Sequence, residues 1–231
     1  MAKERLLVIG DIHGRLDKLE QLLAQVKPTQ DDELIFLGDY IDRGPDSWGV
    51  VKKVKELQEK FPRTVCLMGN HELTFVRSFI GSPGVSELLS MCEFDVEGWQ
   101  RKALYSLQRG AEEAPHEVDA ALRWLAALPL HHESRGVHFA HAGYNPTKPW
   151  EEQEPDDFVW CREIFFRRYR GEDTWVIGHT PVQSMEETVG AEDAAVPLFL
   201  PNNVIMLDTG AFMENGRPTC CDLLQGEIYQ A

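Results

Sequence analysis

Seven acidic, amide and imidazole side chains follow short apolar segments of this 231-residue chain, in turns that contain glycine. They are Asp11, His13, Asp39, Asn70, His71, His141 and His179. Carboxylate, carbonyl and imidazole groups are the ligands that divalent metal ions take in proteins. Because α/β sheets bind ligands at the carboxyl ends of their strands, we expect the seven residues to meet at one edge. The pattern indicates a two-metal site that cleaves phosphoesters.

The first three of these residues suit a pair of cations that share one ligand. Asp11 and His13 lie two positions apart directly after an apolar segment, so a tightly turned backbone can direct both side chains at one ion. Asp39 follows the next apolar segment, and its two carboxylate oxygens can bridge cations held about 3.5–4 Å apart. We therefore expect Asp39 to contact both metal ions.

The adjacent residues Asn70 and His71 are expected to have different roles. Adjacent side chains in a turn seldom serve one metal together, so we assign the Asn70 carbonyl oxygen to a metal and the His71 imidazole to proton transfer. His141 and His179 each follow a further apolar segment, and neutral imidazole is a common metal ligand. Both histidines are predicted to bind a metal ion.

Three further polar residues each have an alternative, structural interpretation. Asp42 is suited to cap the helix that follows it, and Arg43 to be a solvated surface charge. Asp208 also follows an apolar segment. We expect it to accept a hydrogen bond in the core or to orient a metal ligand, rather than to bind a metal directly.

Short apolar segments and helical stripes indicate the elements that position these turns. The predicted strands are Leu6 to Ile9, Leu34 to Leu37, Val65 to Met68, Val137 to Ala140, Trp175 to Ile177 and Val204 to Leu207. The predicted helices are Leu16 to Val26, Asp46 to Lys60 and Val118 to Leu128. The early alternation of strands and helices favours an α/β fold. The stretches 145–157 and 183–203 are predicted to be loops, because both are rich in proline and acidic residues.

The length and composition fit one domain that spans residues 1–231. The chain is 43% hydrophobic, which is enough for one substantial core, and no repeat or Gly/Ser linker divides it. The segment from about 73 to 128 departs from the alternation. It is predicted to be a mostly helical insertion near the site, with a break at 81–84.

Composition also indicates which binding partners and which cellular compartment to expect. The cysteines are odd in number and form no CxxC pair, so we expect reduced thiols: Cys66, Cys92, Cys161, Cys220 and Cys221. The apolar start, about five residues, is too short for a signal-peptide core or a membrane span, so we expect a cytoplasmic protein without membrane contact. The formal net charge of −15 argues against an extended nucleic-acid-binding surface.

Five short motifs of the chain, taken in order, resemble the catalytic core of the phosphoprotein phosphatase family within the calcineurin-like metallophosphoesterases. The motifs are GDIHG, GDYIDRG, GNHE, HAG and GHT, and the resemblance runs from Gly10 to about Gly210. It is strongest to the compact bacterial and phage members of these PPP-type serine/threonine phosphatases. The resemblance implies a β-sandwich flanked by helices, in an α/β/β/α arrangement, with the metal site at the strand ends.

The resemblance also implies a role for each site residue. The implied ligands are Asp11, His13 and Asp39 for the first metal, and Asp39, Asn70, His141 and His179 for the second. His71, paired with Asp42, corresponds to the general acid of the family, and Arg43 corresponds to one phosphate-binding arginine. The second such arginine is assigned to Arg162, with three alternatives close by, Arg167, Arg168 and Arg170.

Two divalent cations, expected to be Mn²⁺ with Fe or Zn as alternatives, would support hydrolysis by a metal-bound hydroxide. We expect phosphoserine or phosphothreonine in a protein or peptide to be the substrate. The alternative substrate is a dinucleoside polyphosphate, such as diadenosine tetraphosphate, or a nucleotide-capped RNA end. A non-catalytic binding module would lack some of the ligands, and none of them is missing here. The pattern predicts no particular oligomeric state.

Overall fold

The strands of the protein form two five-stranded sheets. The computed structural model describes residues 4–78, 100–190 and 193–231, and it leaves out the side chains of residues 100–104. The strands are β1 (Leu6–Ile9), β2 (Glu33–Phe36), β3 (Thr64–Cys66), β4 (His131–Ser134), β5 (Val137–Ala140), β6 (Thr174–Ile177), β7 (Leu198–Phe199), β8 (Val204–Met206), β9 (Thr219–Asp222) and β10 (Glu227–Gln230). The first sheet has the order β10-β9-β1-β2-β3 and the second β4-β5-β6-β8-β7. In each sheet three adjacent strands run parallel, β1, β2 and β3 in one and β5, β6 and β8 in the other. Their carboxyl ends therefore emerge together.

Strand β1 shows how the two sheets pack. Leu6 and Val8 lie in a core that they share with Phe139 of the second sheet, whereas Leu7 and Ile9 face the core beneath the helices. A strand that is buried on both faces requires a continuous apolar run, as β1 has. The fold is thus α/β, with two facing sheets flanked by helices, and the predicted fold class is confirmed.

The described helices of more than one turn are α1 (Leu16–Val26), α2 (Ser47–Lys60), α3 (Asn70–Arg77), α4 (Gln100–Glu113), α5 (Pro115–Ala126), α6 (Pro155–Val159) and α7 (Glu163–Phe166). Helix α1 buries Leu19, Leu22 and Val26, which share one face at three-and-four spacing. Helix α2 begins where the Asp46 carboxylate accepts the backbone N–H of Gly49 at 2.9 Å. Asp46 is therefore the N-cap of the helix predicted from that residue.

Four strands are absent from the sequence prediction, namely β4, β7, β9 and β10. Three of them carry polar residues that hide the strand pattern, as in HHES, TCCD and EIYQ. β7 has only two residues, and it lies within the stretch 183–203 that is predicted as a loop. That loop prediction is wrong at β7 and at two 3₁₀ turns, Val182–Ser184 and Glu186–Thr188. The stretch 145–157 likewise contains a 3₁₀ turn, Trp150–Glu152, and the first residues of α6.

The described parts of the segment 73–128 are largely helical, and α4 packs against α2. The Ser106 hydroxyl accepts the backbone N–H of Trp48 at 2.9 Å and joins the two helices. The predicted break at 81–84 and Cys92 lie outside the described residues. The insertion and the single domain stay predictions.

The described cysteines carry free thiols, and three of the four are buried: Cys66, Cys220 and Cys221. Cys161 is partly exposed. Within the described part of the chain, no helix has the length and apolar character needed to cross a bilayer.

Candidate metal centre

The turns that carry the predicted site residues are joined to one another by backbone hydrogen bonds. The Asp39 carbonyl accepts the N–H groups of Ile12 and His13 at 3.1 and 2.8 Å, which ties the turn after β1 to the turn after β2. The Gly178 N–H donates to the His141 carbonyl at 2.8 Å within the second sheet. A Cβ at Gly178 would lie 2.1 Å from Asp11 Oδ1, so glycine is required where the two sheets meet. All seven residues come to one edge of the sandwich, as predicted.

Several of these turns hold non-glycine residues in the left-handed backbone region, which L-residues rarely adopt. Of eight such residues in the described chain, five belong to the predicted site: His13 (φ 50°), Asp39 (φ 53°), Asp42 (φ 70°), Arg43 (φ 63°) and His179 (φ 66°). Strained backbone persists only where the surrounding structure fixes it, and it concentrates at functional sites.

The first group of potential ligands surrounds His13. Its Nε2 lies 3.4 Å from Asp39 Oδ2 and 4.0 Å from Asp11 Oδ2. Its Nδ1 is 3.1 Å from the Ile41 carbonyl, an acceptor, so Nδ1 carries the proton and the Nε2 lone pair faces the two carboxylates. Both carboxylate oxygens of Asp11 also accept the His179 N–H, at 3.2 Å.

The second group surrounds the Asn70 side-chain oxygen. Asn70 Oδ1 lies 3.0 Å from His141 Nε2 and 2.9 Å from His179 Nδ1. His141 Nε2 is also 3.4 Å from Asp39 Oδ1, and its Nδ1 donates to the Leu37 carbonyl at 2.9 Å. The two oxygens of Asp39 therefore face different groups, which is the arrangement that a bridging ligand needs.

The donors fit divalent metal ions. Two sets of donor atoms are close enough to hold an ion, one from His13, Asp39 and His71 and the other from Asp39, His141 and His179. The first set differs from the predicted one, since it contains His71, which is expected to transfer a proton, and lacks Asp11, whose Oδ2 lies 4.0 Å from His13 Nε2. The Nε2 of His179 is buried and has no hydrogen-bond partner among the described residues. Orientation of several nitrogen and oxygen donors towards shared points matches the ligand chemistry of Mn²⁺, Fe²⁺ or Zn²⁺. The site therefore contains two candidate metal-binding groups that share Asp39.

The protonation states favour metal binding. Burial lowers the pKa of His13 to about 3 and that of His179 to about 2, and it also lowers the pKa of His141. All three imidazoles are thus neutral at pH 7, the form that binds metals. Burial opposes ionisation of Asp39, but the surrounding histidines offset this and hold its pKa below the ordinary value. Asp11 is the exception, because burial, followed by the Asp208 and Asp39 charges, raises its pKa well above the ordinary value, and this carboxyl ionises less readily unless a cation lies beside it.

His71 differs from the other histidines because a carboxylate holds its second nitrogen. His71 Nδ1 lies 2.7 Å from Asp42 Oδ2, and both side chains are buried. Burial disfavours the imidazolium, but the Asp39 charge and the hydrogen bond with Asp42 outweigh it and raise the pKa of His71. The Ser47 hydroxyl accepts the Asp42 backbone N–H at 3.0 Å. Asp42 therefore pairs with His71, whereas Asp46 caps helix α2.

Two arginines line the cavity beside the donors, which has a volume of about 400 Å³. The Arg43 guanidinium carbon lies 4.2 Å from the centre of the Phe212 ring. Arg162 Nη1 donates to the His179 carbonyl at 3.3 Å and to the Thr180 hydroxyl at 3.0 Å.

Of the four candidate arginines, all of them among the described residues, Arg162 is the one that lines the cavity. Arg167 pairs with Glu187, and Arg170 donates to two backbone carbonyls, those of Arg167 and Tyr169.

Glu72 is a site residue that the sequence analysis does not single out. Its carboxylate accepts four backbone N–H groups, from Gly69, Asp39, Tyr40 and Ile41, at 2.8–3.1 Å. It thereby fixes the turn that carries Asp39. A signal was present, because Glu72 is the last residue of GNHE and the third residue of helix α3, where a glutamate commonly accepts N–H groups.

Two aromatic side chains at the rim of the cavity are likewise absent from the sequence prediction. Trp160, 43% exposed, meets the His179 ring edge-on at 5.7 Å between centroids. Phe212 meets the His13 ring in the same manner at 5.0 Å. No periodic pattern marks either residue, because both lie in irregular turns.

Comparison with known families agrees with this geometry. The sequence profile of the calcineurin-like phosphoesterases matches residues 4–207. The chain belongs to this family. Calcineurin-like phosphoesterases are metal-dependent hydrolases of phosphoester bonds, and the two donor groups are the metal-binding candidates in this member.

Individual relatives of this calcineurin-like phosphoesterase carry different names. Serine/threonine-protein phosphatase 1 of Salmonella typhimurium is 27% identical over 211 residues, which cover 88% of this chain and 85% of that protein. The symmetrical bis(5'-nucleosyl)-tetraphosphatase of Burkholderia thailandensis is 29% identical over 146 residues, or 61% of this chain and 42% of that protein. The matched region is thus less than half of the tetraphosphatase.

A solved structure supports the fold alone. The cold-active protein-tyrosine phosphatase of a psychrophilic Shewanella species superposes with a TM-score of 0.60 at 16% identity. The superposition covers 100% of this chain and 82% of the other.

Proposed function

We propose that this calcineurin-like phosphoesterase removes phosphate from phosphoserine and phosphothreonine in proteins. The observation that carries the proposal is the buried pair of His71 and Asp42, 2.7 Å apart, beside the metal-ligand candidates. The alkoxide of serine or threonine is a poor leaving group, so its departure requires a proton donor. A buried imidazole that a carboxylate orients is suited to that task.

The proposed ligand set divides between two cations that share Asp39. The first set is Asp11, His13 and Asp39, and the second is Asp39, Asn70, His141 and His179. When bound, the cations, proposed to be Mn²⁺, supply polarisation of the phosphoryl oxygens and a water nucleophile of lowered pKa.

The arginines are proposed to bind the phosphate group. Arg43 and Arg162 line the same cavity as the donor groups, and guanidinium groups form paired, charge-assisted hydrogen bonds with phosphoryl oxygens. Arg162 is held by the His179 carbonyl and the Thr180 hydroxyl, so its guanidinium is already oriented. Such fixed contacts place the phosphorus atom relative to the leaving oxygen.

His71 is proposed to donate the proton as the bond between phosphorus and the seryl or threonyl oxygen breaks. The Nδ1 proton is directed at the Asp42 carboxylate, so the Nε2 proton is the one that passes to the leaving oxygen. The product alcohol leaves with that proton, and His71 is neutral until it is protonated again. Asp42 remains the hydrogen-bond acceptor throughout and holds the ring in place.

Two relatives support two substrate classes. The likeness to serine/threonine-protein phosphatase 1 extends over most of both chains, which supports the protein substrate. The likeness to the bis(5'-nucleosyl)-tetraphosphatase supports a second candidate, hydrolysis of dinucleoside polyphosphates. A nucleoside diphosphate leaves more easily than an alkoxide, so this second reaction depends less on the His71 proton.

The experiment that tests the proposal compares leaving groups in His71→Asn with Mn²⁺ supplied. We expect turnover of a phosphoserine peptide to fall by about 10²–10⁴, the range for lost acid catalysis, and turnover of p-nitrophenyl phosphate to fall much less. His116→Asn is the control, since His116 is an exposed histidine outside the site. Equal losses on both substrates would show that His71 is not the acid. A marked preference of the wild type for diadenosine tetraphosphate would select the second candidate.

A further inference from the structure

Asp208 stands at the end of β8 as the predicted ligands stand at the ends of the other parallel strands. Its side chain is 1% exposed and lines the same cavity as His13 and Asp39. Oδ1 accepts the Gly210 N–H at 3.0 Å, which fixes the carboxylate. Oδ2 has no hydrogen-bond partner in the described part of the chain. One oxygen of a rigid, buried carboxylate is therefore available inside the cavity.

The turn after β8 packs directly against the turn after β1. A Cβ at Gly10 would lie 2.2 Å from the carbonyl oxygen of Leu207, so the two backbones touch there. The residues that follow these two contacts are Asp11 and Asp208. Asp11, Asp39 and Asp208 are all buried, and Asp39 and Asp208 both line the cavity.

Such an arrangement requires a positive charge close by. An ionised carboxylate with an unsatisfied oxygen is unfavourable in the protein interior, and neighbouring carboxylates make it more so. Arg43 and Arg162 bring positive charge to the same cavity, but neither donates a hydrogen bond to Asp208 Oδ2. A divalent cation beside Asp11 would compensate all three carboxylates.

We propose that Asp208 is a third carboxylate of the metal centre, which strengthens binding of the cation assigned to Asp11 and His13 from outside the ligand set. The inference rests on the ligand set under the proposed function, and not on the substrate. Groups in this position typically change metal affinity by 10–100-fold.

The test is calorimetric titration of chelator-treated protein with Mn²⁺, in the wild type and in Asp208→Asn. Asparagine keeps the acceptor for the Gly210 N–H and removes only the charge. We expect one of the two Mn²⁺ affinities to fall 10–100-fold. We also expect the metal-free variant to unfold at the same or a higher temperature than the wild type, because repulsion with Asp11 is relieved.

Asp222→Asn is the matched control. Asp222 is also 1% exposed, its Oδ1 accepts two backbone N–H groups, and its Oδ2 has no partner in the described chain. It pairs with Leu7 on β1, away from the turn that carries Asp11. Its Mn²⁺ affinities should equal those of the wild type.

Unchanged Mn²⁺ affinities in Asp208→Asn would overturn the proposal. So would an equal loss of thermal stability with and without Mn²⁺, which is the signature of a purely structural hydrogen bond. Binding is measured without substrate, so failure of the proposed phosphatase activity would leave this result intact.

Discussion

Replacement of Glu72 by glutamine is expected to disturb the turn that carries Asp39. Oε2 accepts the N–H groups of Asp39 and Gly69 at 2.8 and 3.0 Å, and Oε1 accepts those of Tyr40 and Ile41 at 2.8 and 3.1 Å. Glutamine has the same shape, but one of its two terminal groups is a donor. Whichever way the amide is turned, two buried backbone N–H groups lose their acceptor.

The size of the effect follows from these two N–H groups. Each buried donor left unsatisfied costs about 1–3 kcal/mol, so Glu72→Gln should reduce the free energy of unfolding by about 2–6 kcal/mol. Proteins of this size have a total of about 5–15 kcal/mol, so the variant should still fold. At roughly 2–4 °C per kcal/mol, the melting temperature should fall by about 4–24 °C.

The assay is urea unfolding of metal-free Glu72→Gln, followed by titration with Mn²⁺. Glu56→Gln is the control, because Glu56 is 60% exposed on helix α2 and pairs only with Lys53 among the described residues. Its effect should stay within about 0.5 kcal/mol. Mn²⁺ affinity should fall at both sites in Glu72→Gln, because the two oxygens of Asp39 face both groups. A change of less than about 0.5 kcal/mol in Glu72→Gln would refute this reasoning.

Two further predictions concern the shared ligand and a distant ion pair. Asp39→Asn should reduce the amount of bound Mn²⁺ at both sites, whereas His13→Ala should reduce it mainly at one site. The measurement is metal analysis of both variants, and full metal occupancy in Asp39→Asn would contradict the bridging role. Burial opposes the charge of Asp32, but the bidentate contact with Arg5 lowers its pKa. The lowered pKa means that ionised Asp32 stabilises the folded protein at pH values above its unfolded pKa of about 3.9. This stabilisation is lost as the pH falls through the lower pKa of the folded state. The stability difference between wild type and Asp32→Asn in urea should therefore begin to shrink as the pH falls below about 4 and be lost only below the folded pKa of Asp32, and a constant difference would count against it.

The sequence was sufficient for the parts of the site that are encoded by residue type and order. Asp11, Asp39 and Asn70 each follow a parallel strand of one sheet, and His141 and His179 each follow a parallel strand of the other. Because parallel strands end at the same edge of a sheet, the positions of the motifs after successive strands predicted that their side chains would lie close together. The continuous apolar strands were predictable for the same reason, since burial on both faces demands them.

The features that were missed depend on contacts between distant turns. Glu72 accepts N–H groups from residues more than thirty positions earlier, so only the folded chain shows what it supports. Trp160 and Phe212 reach the cavity from irregular turns that carry no periodic signal. Strand β9 is hidden because Asp222 is buried within it, where two backbone N–H groups offset the loss of hydration of its carboxylate.

The strained backbone at the site shows why the donor groups are attached to so rigid a scaffold. Five non-glycine site residues in the left-handed region, at about 1–3 kcal/mol each, would together cost about 5–15 kcal/mol. That is comparable to the whole free energy of unfolding of a typical protein. Such a conformation is kept only if each strained turn is fixed from several directions. The Asp39 turn meets this condition, since its carbonyl accepts two N–H groups from the β1 turn and its own N–H is bound by Glu72. The hydrogen bonds between turns thus hold the strained metal-ligand candidates in place on the packed core of the sandwich.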